Sequence, residues 1–133
     1  MISTSKEQSE RILACGISPS TSDMYYLDDV LIEETCNSDG IPSWSFEQLI
    51  SLLPKHLDSF ECTLMYNSFN DGEKFYKEEC SLIGNLILGF YDDGDCYIDY
   101  DFYGFLGRVP CSKSPIEAVV QAIELLYING YKF

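Results

Sequence analysis

Two turn signals in the second half of the chain constrain its fold most strongly. Residues 60–66 are rich in β-forming side chains, and Asn-Asp-Gly follows at 70–72. Residues 86–91 and 96–103 are further β-type segments, and they are separated by Asp-Asp-Gly-Asp at 92–95. Asn-Gly and Asp-Gly pairs are typical of tight hairpin turns, and strands joined by short turns run antiparallel. The pattern predicts an antiparallel meander of about four strands.

Helix signals lie on both sides of this β region. Residues 4–15 offer Ser and Thr caps and end before a glycine, and residues 45–53 end before a proline. Residues 114–128 begin with Ser-Pro and place apolar side chains on one face. This order predicts an α+β fold, in which short N-terminal helices and a C-terminal amphipathic helix pack on one face of the meander. We expect residues 1–133 to form a single domain.

The caps of the two later helices are predicted from residue spacing. Ser45 and Ser114 each precede a helical run, and Gln48 and Glu117 stand at the third helical position, which is the spacing of a capping box. Trp44, before the first of these caps, has the spacing of a hydrophobic staple with the fourth helical residue. In the first half we predict a helical turn over residues 18–26. Residues 28–42 are predicted to form a surface connection that includes a short strand at 30–32.

The charge balance narrows the classes of partner. The chain has 22 acidic and 8 basic residues and a formal net charge of -14. Nucleic acid and anionic membranes both require clustered Lys and Arg, so neither is expected as a direct ligand. A basic protein surface fits the charge, and so does a merely solvated acidic surface. The N-terminus lacks a signal pattern, and no apolar run approaches the ~20 residues of a membrane span. We therefore expect a cytoplasmic protein.

The segment at 95–103 predicts the candidate binding face. Strand side chains alternate between two faces, so Cys96, Ile98, Tyr100 and Phe102 would face the core. Acidic and tyrosine side chains would then share the outer face, with two more carboxylates on the adjacent turn. The predicted binding residues are Asp92, Asp93, Asp95, Tyr97, Asp99, Asp101 and Tyr103. The alternative is a charged solvent face that blocks edge pairing, which is the more ordinary arrangement.

The sequence contains no motif that points to catalysis, a metal or a cofactor. His56 is the only histidine, and neither a nucleophile signature nor a phosphate-binding glycine loop is present. An EF-hand count over residues 67–78 fails because its third position is Phe69. The six cysteines show no CxxC spacing and are expected to be mainly buried, although their even number leaves a disulfide open. We predict no catalytic residue, no metal and no cofactor.

Three segments resemble a family of small uncharacterised proteins. They are Ser-Asp-Met-Tyr-Tyr at 22–26, Pro-Ser-Trp-Ser-Phe-Glu-Gln-Leu-Ile-Ser-Leu-Leu-Pro at 42–54, and Ser-Pro-Ile-Glu-Ala-Val-Val at 114–120. The family occurs in Bacteroides-type gut bacteria and in their phages and prophages. The resemblance implies a cytoplasmic setting on a phage or mobile element, and it implies no activity or cofactor.

Three functions remain open on these grounds. The first is a non-catalytic protein that binds a basic partner through its acidic face. The second is a structural or oligomeric role, because Leu125 and Ile128 widen the apolar surface of the last helix. The third is a small hydrolase that uses carboxylates or a Cys-His pair.

Overall fold

A computed structural model describes residues 3–37, 39–67, 75–100 and 109–133, with the side chains of residues 56–84 left out. Within these ranges the helices are α1 (Lys6–Ala14), α2 (Phe46–Leu52) and α3 (Pro115–Ile128), and a 3₁₀ turn spans Pro19–Thr21. The strands are β1 (Met24–Leu27), β2 (Val30–Ile32), β3 (Ile41–Ser43), β4 (His56–Asn67), β5 (Phe75–Phe90), β6 (Cys96–Tyr100) and β7 (Cys111–Ser112).

The strands form two antiparallel sheets. The first has the order β2-β1-β3 and the second has the order β4-β5-β6-β7. The predicted α+β class, with antiparallel sheets and separate helices, is therefore confirmed at that level. None of the described helices is long and apolar enough to cross a membrane.

The N-terminal sheet differs from the prediction. The helical turn expected over residues 18–26 is limited to the 3₁₀ turn, and the chain continues as β1. The expected surface connection contains the predicted short strand at 30–32, which is β2, and a further strand, β3. These two strands pair on either side of β1. Two consecutive residues with positive φ, Asp28 at 49° and Asp29 at 65°, turn the chain between β1 and β2. Aspartate tolerates this conformation better than most residues, so it can replace glycine in a tight hairpin.

Two of the three helix caps use partners that local spacing does not reveal. Ser5 and Gln8 form a complete capping box on α1. Ser45 caps α2 because its Oγ accepts the backbone N–H of Gln48. The Gln48 side chain donates to the Thr21 carbonyl oxygen instead of closing the box. Asp23 accepts the Ser45 backbone N–H in its place, at 2.8 Å. A residue of the preceding segment thus ties α2 to the N-terminal sheet.

Strand β5 is shared between two partners along its length. Its first part pairs with β4 up to Asn85, and residues 86–90 pair with β6. The apolar segment at 86–91 is typical of a central strand, and β5 does lie between β4 and β6 in the strand order. Leu88 is 41% exposed and Phe90 is 63% exposed. Leu88 and Phe90 stand opposite the buried β6 residues Ile98 and Cys96, but their own side chains reach solvent.

One cluster of buried side chains joins all three helices to β6. Ile12 of α1, Leu49 of α2 and Ile123 of α3 are fully buried. Trp44 is also fully buried, and its indole N–H donates to Thr21 Oγ1 at 3.0 Å. The core-facing positions of β6 are Cys96, Ile98 and Tyr100, each 0% exposed. The alternation predicted for this strand is confirmed over these residues, and Phe102 lies outside the described range.

Candidate functional site

The register of β6 defines which side chains share its solvent side. Tyr97 stands opposite Gly89 on β5 and opposite Cys111 on β7, and Asp99 stands opposite Ile87. Residues opposite each other in an antiparallel ladder lie on the same face. We call this surface, with the adjoining turn, the β6 outer face. It comprises Ile87, Gly89, Tyr91, Asp92, Asp93, Asp95, Tyr97, Asp99 and Cys111.

Two tyrosines form the apolar part of this face. The rings of Tyr91 and Tyr97 stack with their centroids 4.6 Å apart and their planes 29° from parallel. The Tyr97 ring lies across Gly89, because a Cβ built on that glycine would stand 2.5 Å from the ring's Cζ and Oη atoms. Glycine in a strand often marks such a close approach, and the ring covers backbone that would otherwise be exposed. The result is an aromatic platform whose position depends on a glycine.

The turn beside the platform is held by its own hydrogen bonds. The Tyr91 N–H donates to the Asp95 carbonyl oxygen and the Gly94 N–H donates to that of Tyr91, each at 2.9 Å. Gly94 has φ +92°, a conformation that favours glycine. Asp93 Oδ1 accepts the Asp95 N–H at 3.0 Å. These bonds keep the exposed carboxylates of Asp92 and Asp93 close to the tyrosine pair.

Asp95 differs from the other carboxylates of the turn because one of its oxygens is buried without a hydrogen bond. Its side chain is 24% exposed, and Oδ1 is buried without a hydrogen-bond partner. The Lys113 ammonium lies 3.7 Å from this oxygen, which is an ion-pair distance but longer than a hydrogen bond. Because the Lys113 side chain is 83% exposed, its interaction with Asp95 is largely screened by solvent.

Electrostatic effects connect the carboxylates to the platform. The pKa of Tyr91 is raised, first by partial burial and then by the negative charge of neighbouring groups, among them Asp99 and Asp93. Asp99 is half-buried, and its Oδ1 accepts the Tyr100 backbone N–H at 2.8 Å. A negative field around a neutral tyrosine pair is an arrangement that attracts a cationic group.

The structure brings most of the predicted binding residues together. Tyr97 and Asp99 lie on the outer side of β6, and three predicted aspartates, Asp92, Asp93 and Asp95, lie in the turn that precedes it. The other two predicted binding residues, Asp101 and Tyr103, lie outside the described residues.

Four members of the face were not predicted from the sequence: Ile87, Gly89, Tyr91 and Cys111. Tyr91 and Gly89, which form the platform with Tyr97, lie in the segment 86–91, for which the sequence predicts only a strand. A glycine within an apolar strand, with a tyrosine at the opposite position of the next strand, was the signal that could have identified both.

A second charged cluster lies between α1 and α3. The Arg11 guanidinium donates to both oxygens of Glu117, at 2.7 and 3.0 Å, and from Nε to Glu124 Oε1 at 3.2 Å. Gln8 and Gln121 donate to Glu117 as well, each at 3.1 Å. The predicted capping box of α3 is therefore incomplete, because the Glu117 carboxylate binds Arg11 instead of reaching back to Ser114. Only the Ser114 half of the cap is present.

The described side chains give little support to catalysis. They contain no group of three or more His, Cys, Asp or Glu residues able to hold a metal ion. Burial raises the pKa of Cys15 to about 11, and burial also raises the pKa of Cys36 and Cys96. A reactive cysteine needs a lowered pKa, so these three thiols are poor nucleophiles. The side chain of His56 lies outside the described set.

Comparisons with family models, with curated proteins and with solved structures give no match.

Proposed function

We propose that this chain is a non-catalytic binding protein that docks its β6 outer face against a basic protein surface. The observation that carries the proposal is the stacked Tyr91–Tyr97 pair beside the exposed carboxylates of the 92–95 turn. Tyrosine is enriched in protein interfaces because it offers a large contact area and a polar tip.

Charge supports a cationic partner. The formal net charge of -14 creates a negative field around the whole molecule, and the turn adds three carboxylates at one edge of the platform. An Arg or Lys side chain of a partner could lie over a tyrosine ring and pair with Asp93 or Asp95 at the same time.

The finer architecture that we propose leaves this face available. In that arrangement the second sheet is a four-stranded meander with the helices packed on the core side of β6. The strand order and the shared core cluster support it.

We also propose a cytoplasmic setting on a phage or mobile element, which rests on the sequence resemblance alone. We propose no direct contact with nucleic acid or membrane.

The test compares three forms of the chain in an affinity capture from a cytoplasmic lysate. The face variant carries Asp92→Asn, Asp93→Asn and Asp95→Asn. The control variant carries Glu10→Gln, Glu33→Gln and Glu34→Gln, which removes the same number of exposed carboxylates elsewhere. We expect a protein that the native chain and the control variant retain and the face variant loses.

Salt dependence gives the second half of the test. Charge-led binding should weaken steeply when the salt concentration rises from about 0.05 M to about 0.5 M. Retention of the same proteins by all three forms, or binding that high salt leaves unchanged, would contradict the proposal.

A structural role is the second candidate. Tyr127 and Ile128, at the end of α3, are 45% and 69% exposed. If these side chains mediate self-association, light scattering should show oligomers that Ile128→Lys converts to monomers. A strict monomer at high concentration would remove this candidate and leave the binding proposal intact.

A further inference from the structure

The register of β4 and β5 places two cysteines opposite each other. Cys62 is the ladder partner of Cys80. The neighbouring pairs are Glu61 with Ser81 and Thr63 with Glu79, and the register runs without a shift from Phe60 to Asn67. The irregularity in this ladder lies between Leu57 and Phe60, which is outside the stretch that holds the two cysteines.

Opposite positions in an antiparallel ladder meet the distance requirement of a disulfide. Their Cα atoms are about 4.5 Å apart at one type of site and about 5.5 Å at the other. Disulfides span Cα separations of about 4.4–6.8 Å. Both types of site fall within this range, so the register meets the Cα-distance requirement whichever type the Cys62–Cys80 pair is.

The other described cysteines are not arranged in this way. Cys15, Cys36, Cys96 and Cys111 are free thiols. In the described strand pairs, Cys96 stands opposite Phe90 and Ser112, and Cys111 stands opposite Tyr97. The pairing of two cysteines is therefore a property of the β4–β5 ladder.

We propose that Cys62 and Cys80 form a reversible disulfide across β4 and β5 when the chain meets an oxidising low-molecular-weight disulfide such as glutathione disulfide. The thiolate of one cysteine attacks a sulfur of glutathione disulfide, forms a mixed disulfide and releases one glutathione thiolate. The thiolate of the second cysteine attacks the protein sulfur of this mixed disulfide and releases the other glutathione. Two protein thiols are oxidised, one glutathione disulfide is reduced to two thiols, and the two protons pass to the released thiolates.

The bond acts on the strand that carries two residues of the candidate binding face, Ile87 and Gly89. A slip of one residue in a two-stranded ladder exchanges its two faces, and a covalent link at the Cys62–Cys80 pair prevents such a slip. Strand β5 continues from this ladder into residues 86–90, which include the glycine beneath Tyr97. Oxidation thus fixes the register of β5 upstream of the β6 outer face. This inference does not depend on the proposed function.

The test maps the cysteines of the native full-length chain after equilibration in glutathione buffers of increasing oxidising strength. Free thiols are trapped with an alkylating reagent under native conditions, and trypsin then cleaves after Lys74 and Lys77, which separates Cys62 from Cys80. We expect a crosslinked pair of peptides and, for the intact chain before alkylation, a mass loss of about 2 Da, which corresponds to one bond per molecule. Fragmentation assigns the bond to Cys80 instead of Cys96, which lies on the same peptide.

Two variants and one dynamic measurement complete the test. Cys62→Ser should abolish the crosslink, and Cys36→Ser should leave it unchanged. In the native chain, amide hydrogens of β4 and of the part of β5 that pairs with it should exchange at least about tenfold more slowly after oxidation. The proposal is overturned if, after equilibration in the most oxidising buffer, Cys62 and Cys80 of the folded chain are both recovered as alkylated thiols or as mixed disulfides with glutathione. It is also overturned if either is bonded to another cysteine or to a second chain.

Discussion

Two regions of the protein differ in the hydrogen bonds and ion pairs that their carboxylates make. At the α1–α3 contact, Glu117 and Glu124 share one guanidinium through hydrogen bonds from three of its atoms. At the 92–95 turn, Asp93 accepts a backbone N–H and Asp95 has only a distant, exposed lysine. The first arrangement joins two helices. The second leaves negative charge on an accessible surface, where a partner can neutralise it.

The difference shows in which of the two regions a basic side chain stabilises the fold of this strongly acidic chain. A bidentate arginine in a partly buried position neutralises two carboxylates and fixes their geometry. An exposed lysine near one carboxylate neutralises it only weakly and does not fix its geometry. Removal of a cation should therefore have very different effects in the two regions.

The largest expected effect is that of Arg11→Met. The substitution keeps most of the side chain's length but leaves Glu117 and Glu124 partly buried without their cation. We expect the free energy of unfolding to fall by about 3 kcal/mol, because a desolvated charge without a partner is costly. Urea denaturation followed by circular dichroism measures it. The matched control is Lys113→Met, for which we expect a change below about 0.5 kcal/mol. Equal losses in the two variants would remove the contrast between the regions.

Acid titration should separate the regions in a second way. The hydrogen bond from Arg11 holds the pKa of Glu117 below its ordinary value, against the opposing effect of burial. A lowered pKa in the folded state means that the stabilisation is complete above the unfolded-state pKa of about 4.3 and is lost as the pH falls through the folded-state pKa. The native chain should lose stability in that acidic window. Arg11→Met should lose less there, and a parallel slope in both proteins would show that other carboxylates dominate.

Tyr100→Phe tests the strand that lies between the core and the outer face. The Tyr100 hydroxyl donates to the Pro54 carbonyl oxygen at 2.7 Å and the residue is fully buried. Loss of the hydroxyl should lower the free energy of unfolding by about 1–2 kcal/mol, because the carbonyl oxygen of the partly buried Pro54 loses its donor.

The same tyrosine should make the folded chain less stable at alkaline pH. Burial, followed by the nearby Tyr131, raises the pKa of Tyr100 above that of an exposed tyrosine. The unfolded chain therefore loses this proton first as the pH rises above about 10, and stability falls from that pH upward. Tyr100→Phe should flatten this alkaline loss in denaturation curves. An unchanged slope would mean that another group controls it.

Sequence reasoning succeeded where a feature depends on residues near each other in the chain. The limits of α1 follow from Ser5 and the glycine after Cys15, and the inward positions of β6 follow from strict alternation. It failed where a distant residue decides. Gln48 and Glu117 have capping-box spacing, but each finds a partner in another segment, Thr21 and Arg11 respectively. Local spacing carries no information about which of these competing partners will be near.

Strands β1 and β3 of the N-terminal sheet were missed for a related reason, whereas the short strand predicted at 30–32 is β2. The strands of this sheet are three or four residues long, which is too short for a periodic pattern to identify β1 and β3. They are held by pairing across the turn at Asp28 and Asp29 and by the Thr4 carbonyl oxygen, which accepts from the Tyr26 hydroxyl at 3.0 Å. The tyrosine platform was only half predicted, because Tyr91 follows β5 and its position becomes clear only from the register between β5 and β6.

Gly89→Ala should perturb the outer face while sparing the core. The added Cβ would meet the far end of the Tyr97 side chain at 2.5 Å, so the ring must move off the strand. The cost in stability should stay below about 1 kcal/mol, because the clash is relieved by a partly exposed side chain. The stacking on Tyr91 should be lost, and near-ultraviolet circular dichroism of the tyrosines should report it. A spectrum identical to that of the native chain would show that the platform does not depend on this glycine.

The smallest effect on stability is expected for the face variant, Asp92→Asn, Asp93→Asn and Asp95→Asn. Each asparagine keeps an oxygen that can accept a hydrogen bond, so the Asp95 N–H retains its partner at position 93. Removal of three negative charges reduces repulsion in a chain of formal charge -14, and we expect stability to stay within about 0.5 kcal/mol of the native value or to rise slightly. Thermal denaturation beside the Glu10, Glu33 and Glu34 control variant measures the difference. A clear loss of stability in the face variant alone would mean that these carboxylates hold the turn together, and the contrast with the α1–α3 contact would then be one of degree.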